Sequence, residues 1–186
     1  MKINIDKKEV WENIKYIILG LLFAVLINKI MGFFLNTDLP IVAVMTGSMV
    51  HDSTTNYRHY QFLKDNFGYS KDFIDSWPIK NGFRPGDVLI IKGIPAEEIK
   101  VGDVIVFTYE GQPVPIIHRV VLIEDNYPYT KGDHNPVMDP DCKLMEEPIE
   151  GCWKRTSIKG KAVFWIPFLG IPKLILQSII NLFRGG

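Results

Sequence analysis

Tyr16 to Leu35 reads YIILGLLFAVLINKIMGFFL, a run interrupted only by Asn28 and Lys29. A helix of about twenty such residues is long enough to cross the hydrocarbon core of a bilayer, so the rest of the chain must be built as a domain beside that membrane. A cleaved leader is the competing reading. The run exceeds a typical leader's apolar core and no A-x-A-like site follows it, so a retained anchor is expected. Lys2, Lys7, Lys8 and Lys15 precede the segment, and no Lys or Arg lies between Lys29 and Arg58. That bias predicts residues 1–15 in the cytoplasm, a span over 16–35 and the main domain on the outer face. Lys29 is read as a snorkelling side chain whose long stem carries its ammonium to the interface.

After the anchor, the 186-residue chain has room for one domain with a hydrophobic core, not for two. Lys plus Arg and Asp plus Glu number 21 each, so no excess of positive charge draws the protein to nucleic acid. Two phrases, Pro85-Gly86-Asp87-Val88-Leu89-Ile90-Ile91 and Val101-Gly102-Asp103-Val104-Ile105-Val106-Phe107, each couple a Gly-Asp turn to a β-branched run. They predict sequential strands of one sheet. Apolar runs at Val114–Ile123 and Lys161–Trp165 extend a mainly β domain over 36–162.

Between these parts, residues 51–81 are polar with scattered aromatics. They read as an insertion on the rim of the domain, with a short helix near Tyr57–Phe67. His51 and His59 are expected to be solvated there and are given no chemistry. The segment 163–186 is apolar again but carries Pro167, Pro172, Lys173 and Gln177. An interfacial helix over Pro172–Phe183, with Phe164, Trp165 and Phe168 at headgroup depth, is expected over a second crossing. Cys142 and Cys152 are the only cysteines and either close a short loop or remain two buried thiols. Cys142 with His134 lacks the paired spacing of a zinc site, so no metal is expected.

Ser48, in Val42-Ala43-Val44-Met45-Thr46-Gly47-Ser48-Met49, lies a few residues beyond the anchor. A serine hydroxyl becomes a nucleophile when a base takes its proton, and His118, in Ile116-Ile117-His118-Arg119-Val120-Val121, is a base suited to neutral pH. An imidazole in that role needs an acceptor on its second nitrogen. Asp133 and Asp139, in Lys131-Gly132-Asp133-His134-Asn135-Pro136-Val137-Met138-Asp139, are the candidates, although either could instead be a plain turn residue. Asp141 is expected to be solvated.

This ordered set resembles type I signal peptidase in its archaeal and endoplasmic-reticulum branch. The likeness covers most of the chain: the anchor, Thr46-Gly47-Ser48-Met49, the two Gly-Asp-Val strands, Ile117-His118-Arg119-Val120, Lys131-Gly132-Asp133-His134-Asn135, Gly160-Lys161-Ala162 and Pro167. His118 stands where the bacterial branch has a lysine. The resemblance implies a signal-peptidase-type β catalytic domain on an N-terminal transmembrane helix, with Ser48 as nucleophile, His118 as general base and then acid, and Asp139 as the acid that orients it. Asp133 ranks second for that role. The Ser48 N–H and the Thr46 hydroxyl would form the oxyanion hole. No cofactor is implied.

The implied substrates are signal peptides of exported preproteins, cut after small residues. They would bind as an added strand over shallow pockets walled by Ile41, Val42, Ala43, Val44, Val104 and Val106. The implied partners are the lipid bilayer and either the export translocon or other signal-peptidase subunits, at the outer face of a cell membrane or in the lumen of the endoplasmic reticulum. The stretch 51–81 departs from the family, whose serine is joined to the first Gly-Asp strand by a short link. Two rivals remain: a serine peptidase using Lys131 as base, and a tethered β domain that binds export substrates or partner subunits without cutting them.

Overall fold

The computed structural model describes residues 7–112, 114–144 and 152–184. Residues 1–6, with Lys2 of the basic flank, and 185–186 of the C-terminal segment lie outside the described residues.

The apolar run forms helix α1, Lys7–Leu35, about 43 Å long at the α-helical rise. None of its apolar span is buried against the rest of the chain, and Ile17 through Leu22 and Phe23 stand open. A helix apolar on every side with no protein neighbour is a candidate membrane span. Its C-terminal end and the residues just after it are fastened to the domain by one backbone bond and one side-chain bond. The Gly93 N–H donates to Leu35 O at 2.8 Å, and the Thr37 hydroxyl donates to Lys159 O at 2.7 Å. Gly93 is required there because a Cβ would fall 1.8 Å from Asn36 O.

Six strands form one antiparallel sheet: β1 Ile41–Ala43, β2 Val88–Lys92, β3 Val104–Tyr109, β4 Ile116–Glu124, β5 Tyr127–Lys131 and β6 Arg155–Ile166, in the spatial order β1-β2-β6-β3-β4-β5. The two Gly-Asp phrases do lead into strands of one sheet, β2 and β3. They are not neighbours, because the long β6 lies between them and pairs with both. The turns before them are built alike. Gly86 and Gly102 take φ of 93° and 95°, and Asp87 and Asp103 accept from the Arg84 and Lys100 N–H groups at 2.9 and 3.0 Å.

Both faces of β3 are covered, and its side chains divide by the period of two. Val104 and Val106 pack with Val44, Met49, Phe83, Leu89, Ile91 and Ala162, whereas Ile105 and Phe107 pack with Ile99 and Val120. A third cluster joins the 51–81 segment to the sheet. Helix α2, Ser53–Phe67, and helix α3, Lys71–Asp75, bring Leu63, Ile74 and Trp77 against Val121 of β4. The insertion therefore packs into the core through this face and is not confined to the rim.

The last helix, α4, Ile171–Arg184, spans about 21 Å, short of the ~30 Å hydrocarbon core. Its apolar residues Ile175, Leu176, Ile179, Leu182 and Phe183 are exposed, as are Phe164 and Phe168 before it. Cys142 and Cys152 are joined in a disulfide.

Candidate active site

Val44 extends the ladder of β1 one step: its N–H donates to Asp87 O at 2.9 Å, and it accepts from the Gly86 N–H at 3.0 Å. The chain then turns over Gly47–Val50, where the Val50 N–H donates to Gly47 O at 3.0 Å. Buried Met49 plugs the turn into the core, leaving its neighbour Ser48 half-buried at the surface. The Thr46 Oγ1 lies 3.5 Å from Ser48 Oγ.

His118 and Arg119 are consecutive in β4, so their side chains leave opposite faces of the sheet, and each meets one acid. His118 Nδ1 is 2.7 Å from Asp139 Oδ2. That carboxylate also accepts from the Thr130 hydroxyl at 2.6 Å, and the Asp139 N–H donates to Thr130 O at 2.8 Å. Trp153 lies nearly parallel to the imidazole at a centroid distance of 6.5 Å, and Phe107 approaches edge-on. The histidine is thus held on one nitrogen by a buried acid and packed between aromatic rings.

Arg119 takes the other acid. Its Nε lies 2.9 Å and its Nη2 2.7 Å from the Asp133 carboxylate, and its remaining N–H groups reach the carbonyls of Pro78, Ile79 and Gly102 at 2.9 Å. Arg119 and Asp133 are each 1% exposed. Burial pushes the Asp133 pKa up, but the Arg119 charge and the bonds from His51 and Arg119 outweigh it and hold the carboxyl well below its usual range. His51 Nε2 is 2.8 Å from Asp133 Oδ2, and His59 Nε2 is 3.7 Å from Oδ1. Because the carboxylate is ionised, His51 is the donor.

Two sequence expectations fail in this region. His51 and His59 are not solvated. The insertion folds over them, leaving His59 2% exposed and its pKa lowered to about 4, mainly by burial. Asp141 is also buried, accepting from the Tyr127 hydroxyl at 2.8 Å and pairing with Arg155 at 3.3 Å. The missed histidines did leave a signal: His59 and Leu63 are four apart and Leu63 and Phe67 four apart, a helical stripe that faces inward.

Lys131 is buried, donates to the carbonyl of Gly132 at 3.0 Å and lies over the Phe62 ring. Burial pushes its pKa down to about 8, against the pull of Asp133 and Asp139. It lies outside the cavity that holds Ser48. His51, His59 and Asp133 each offer one atom within 4.8 Å of the others, a grouping able to hold a metal ion. The Asp133 carboxylate already carries Arg119, and the Lys131 ammonium lies nearby on the backbone carbonyls of Gly132 and Asp133, so a dication there would meet repulsion from both.

A cavity of about 460 Å³ is lined by Ser48, Thr46 and His118 together with Val42, Ala43, Val44 and Met45, from β1 and the residues after it, and Tyr109, Gln112 and Val114. Of the six residues expected to wall substrate pockets, Val42, Ala43 and Val44 line it. Ile41 is exposed outside it, and Val104 and Val106 are buried in the core below. Their place in β3, covered on both faces, accounts for that.

No protein-family model matches the chain. It is similar to the human signal peptidase complex catalytic subunit SEC11C, 28% identical over 108 residues, which are 55% of each protein. The SEC11 catalytic subunit of Scheffersomyces stipitis is 26% identical over 159 residues, 83% of this chain and 76% of that protein. That of Lodderomyces elongisporus is 29% identical over 107 residues, 55% of this chain and 63% of that protein. The chain spans about half the length of the mammalian relatives it matches. With a six-stranded antiparallel sheet, a candidate membrane span before it and relatives bearing these names, the chain is a homologue of the signal peptidase complex catalytic subunits, the endoplasmic-reticulum and archaeal branch of type I signal peptidase.

Proposed function

We propose that the chain is a membrane-anchored serine endopeptidase that removes signal peptides from exported preproteins after small residues. One observation carries this reading: Ser48 and His118 line the same cavity while Asp139 occupies His118 Nδ1. Nε2 is then the nitrogen left to take the serine proton. Ser48 Oγ attacks the scissile carbonyl, and its proton passes to His118. Collapse of the tetrahedral intermediate returns that proton to the leaving amine, and water repeats the sequence on the acyl-enzyme. The Ser48 N–H and the Thr46 hydroxyl stabilise the developing oxyanion.

Asp139 is the orienting acid in this mechanism. Asp133, engaged by Arg119 and His51, acts by holding the loop in place. β1 is an edge strand beside the cavity, which supports a substrate bound as an added strand read at alternate residues. The basic flank supports a cytoplasmic N-terminus, and the disulfide supports an outer-face or lumenal domain, where oxidised cysteines persist. The bilayer, and an export translocon or further signal-peptidase subunits, would be the partners. Catalysis predicts that the full chain in liposomes shortens a preprotein at its leader junction and that Ser48→Ala abolishes this. Equal cleavage by both proteins would leave a binding module in its place.

A further inference from the structure

Nothing in a Ser-His-Asp mechanism uses the buried group of His51, His59, Asp133 and Arg119, yet it lies directly behind the serine. The link is a short loop. The His134 N–H donates to Ser48 O at 2.8 Å, and the Asn135 N–H closes a turn onto Gly132 O at 3.0 Å. Gly132 packs so closely that a Cβ there would fall 2.8 Å from Ser48 O. The carbonyl of the candidate nucleophile is therefore held by the loop that carries Asp133.

His51 closes the circuit from the other side. It stands three residues after Ser48, and its Nε2 reaches Asp133 Oδ2 at 2.8 Å. Between the two ends, Met49 Sδ accepts from the Asp133 N–H at 3.4 Å, and Met49 O accepts from the Phe83 N–H at 3.1 Å. Gly82 has no room for a side chain, because a Cβ would meet Met49 O at 2.0 Å and the His51 ring at 2.8 Å. Ser48 is thus bracketed by one backbone bond to the 132–135 loop and one side-chain bond three residues on, both ending on the same loop.

We propose that His51 is a positioning residue: by tying the segment after Ser48 to Asp133, it fixes the turn that presents the serine hydroxyl to His118. The inference rests on the proposed peptidase reading and adds a role for the insertion. His59 fills the space behind the pair, its ring 5.5 Å from that of His51 and 6.4 Å from that of Trp77. The insertion supplies both the histidine at its start and the α2 and α3 packing that shuts water out. A dry site matters because a bond to a carboxylate holds its geometry best when no solvent competes for it.

The test compares wild type, His51→Leu and His51→Gln as full chains in detergent, with two readouts. For cleavage, a turn displaced by a fraction of an ångström should lower kcat of the Leu variant roughly 10- to 100-fold with KM within about twofold. His51→Gln, which keeps an N–H donor at similar reach, should recover to within about fivefold of wild type, a rescue that filling space alone would not produce. For hydrogen–deuterium exchange, peptides covering 132–135 should lose protection roughly 10-fold or more in the Leu variant and keep it in the Gln variant, while the core strands exchange as in wild type. The exchange readout is independent of activity, so it decides the bracing even if the wild type cuts no preprotein and the peptidase reading fails. Unchanged exchange at 132–135 in His51→Leu, or a Gln variant as impaired as the Leu variant in both readouts, overturns the proposal.

Discussion

The two acids of the 131–139 loop are chemically identical and environmentally opposite. Asp139 meets a histidine and a threonine hydroxyl, whereas Asp133 meets an arginine locked on three carbonyls. They should therefore fail differently. Asp139→Asn keeps the shape but favours the wrong imidazole tautomer, and a drop of roughly 10⁴ in kcat with little change in melting temperature is expected from the behaviour of such triads. Asp133→Ala leaves a buried guanidinium without its counter-ion, and about 3–5 kcal/mol of stability should go with it. Cleavage kinetics and denaturant melts on the two variants separate these outcomes. A fall of roughly 10⁴ in kcat at Asp133→Ala in a protein of normal stability, beside an Asp139→Asn variant that stays fully active, would exchange the two roles.

At the scale of elements, the insertion is what the sequence concealed. Its polarity suggests a solvated excursion, and the periodic signal it does carry, the stripe of His59, Leu63 and Phe67, is set among polar residues that mask it. Burial comes instead from a few apolar residues, Leu63, Ile74 and Trp77, meeting Val121 across the sheet, a contact that local spacing does not encode. The burial has a measurable cost. Folded His59 titrates at about 4, below its ordinary value of 6.5, so between these two values the unfolded chain takes up a proton that the folded chain refuses. Stability is then full above pH 6.5 and declines as the pH falls toward 4, by at most about 3 kcal/mol from this group. Asp133, held low, adds its own loss below its ordinary value of 3.8. Denaturant melts from pH 7 to pH 4 should show this decline in wild type and a shallower one in His59→Gln. Parallel curves would mean that the imidazole is not buried in its neutral form.

For the whole molecule, the parts legible in the sequence are those written in local chemistry. Helix α1, the candidate membrane span, was readable from an apolar run interrupted only by Asn28 and Lys29, the strands β2 and β3 from their Gly-Asp turns, and the short C-terminal helix from prolines that interrupt an apolar run. The order Ser48, His118, Asp139 was readable as a likeness to a family, which also ranked Asp139 above Asp133; the pairing of Asp133 with Arg119 was not readable, because it depends on consecutive residues of β4 leaving opposite faces. The core position of Val104 and Val106 is written in the unbroken apolar run Val104-Ile105-Val106-Phe107, the pattern of a strand covered on both faces; their expectation as pocket walls came with the family resemblance. Topology also assembles the candidate site from distant parts: an edge strand that follows the anchor supplies the serine turn, and an inner strand on the far side of β6 and β3 supplies the imidazole. The proposed mechanism requires these two side chains to act on one another. Acylation by a serine-directed reagent, followed by mass spectrometry of the full chain in detergent, tests it most directly. One adduct is expected, on Ser48, with a rate of formation that falls by roughly 10⁴ or more in His118→Ala; an adduct formed equally fast without the imidazole, or on another residue with Ser48 untouched, would rule out the serine–histidine pair.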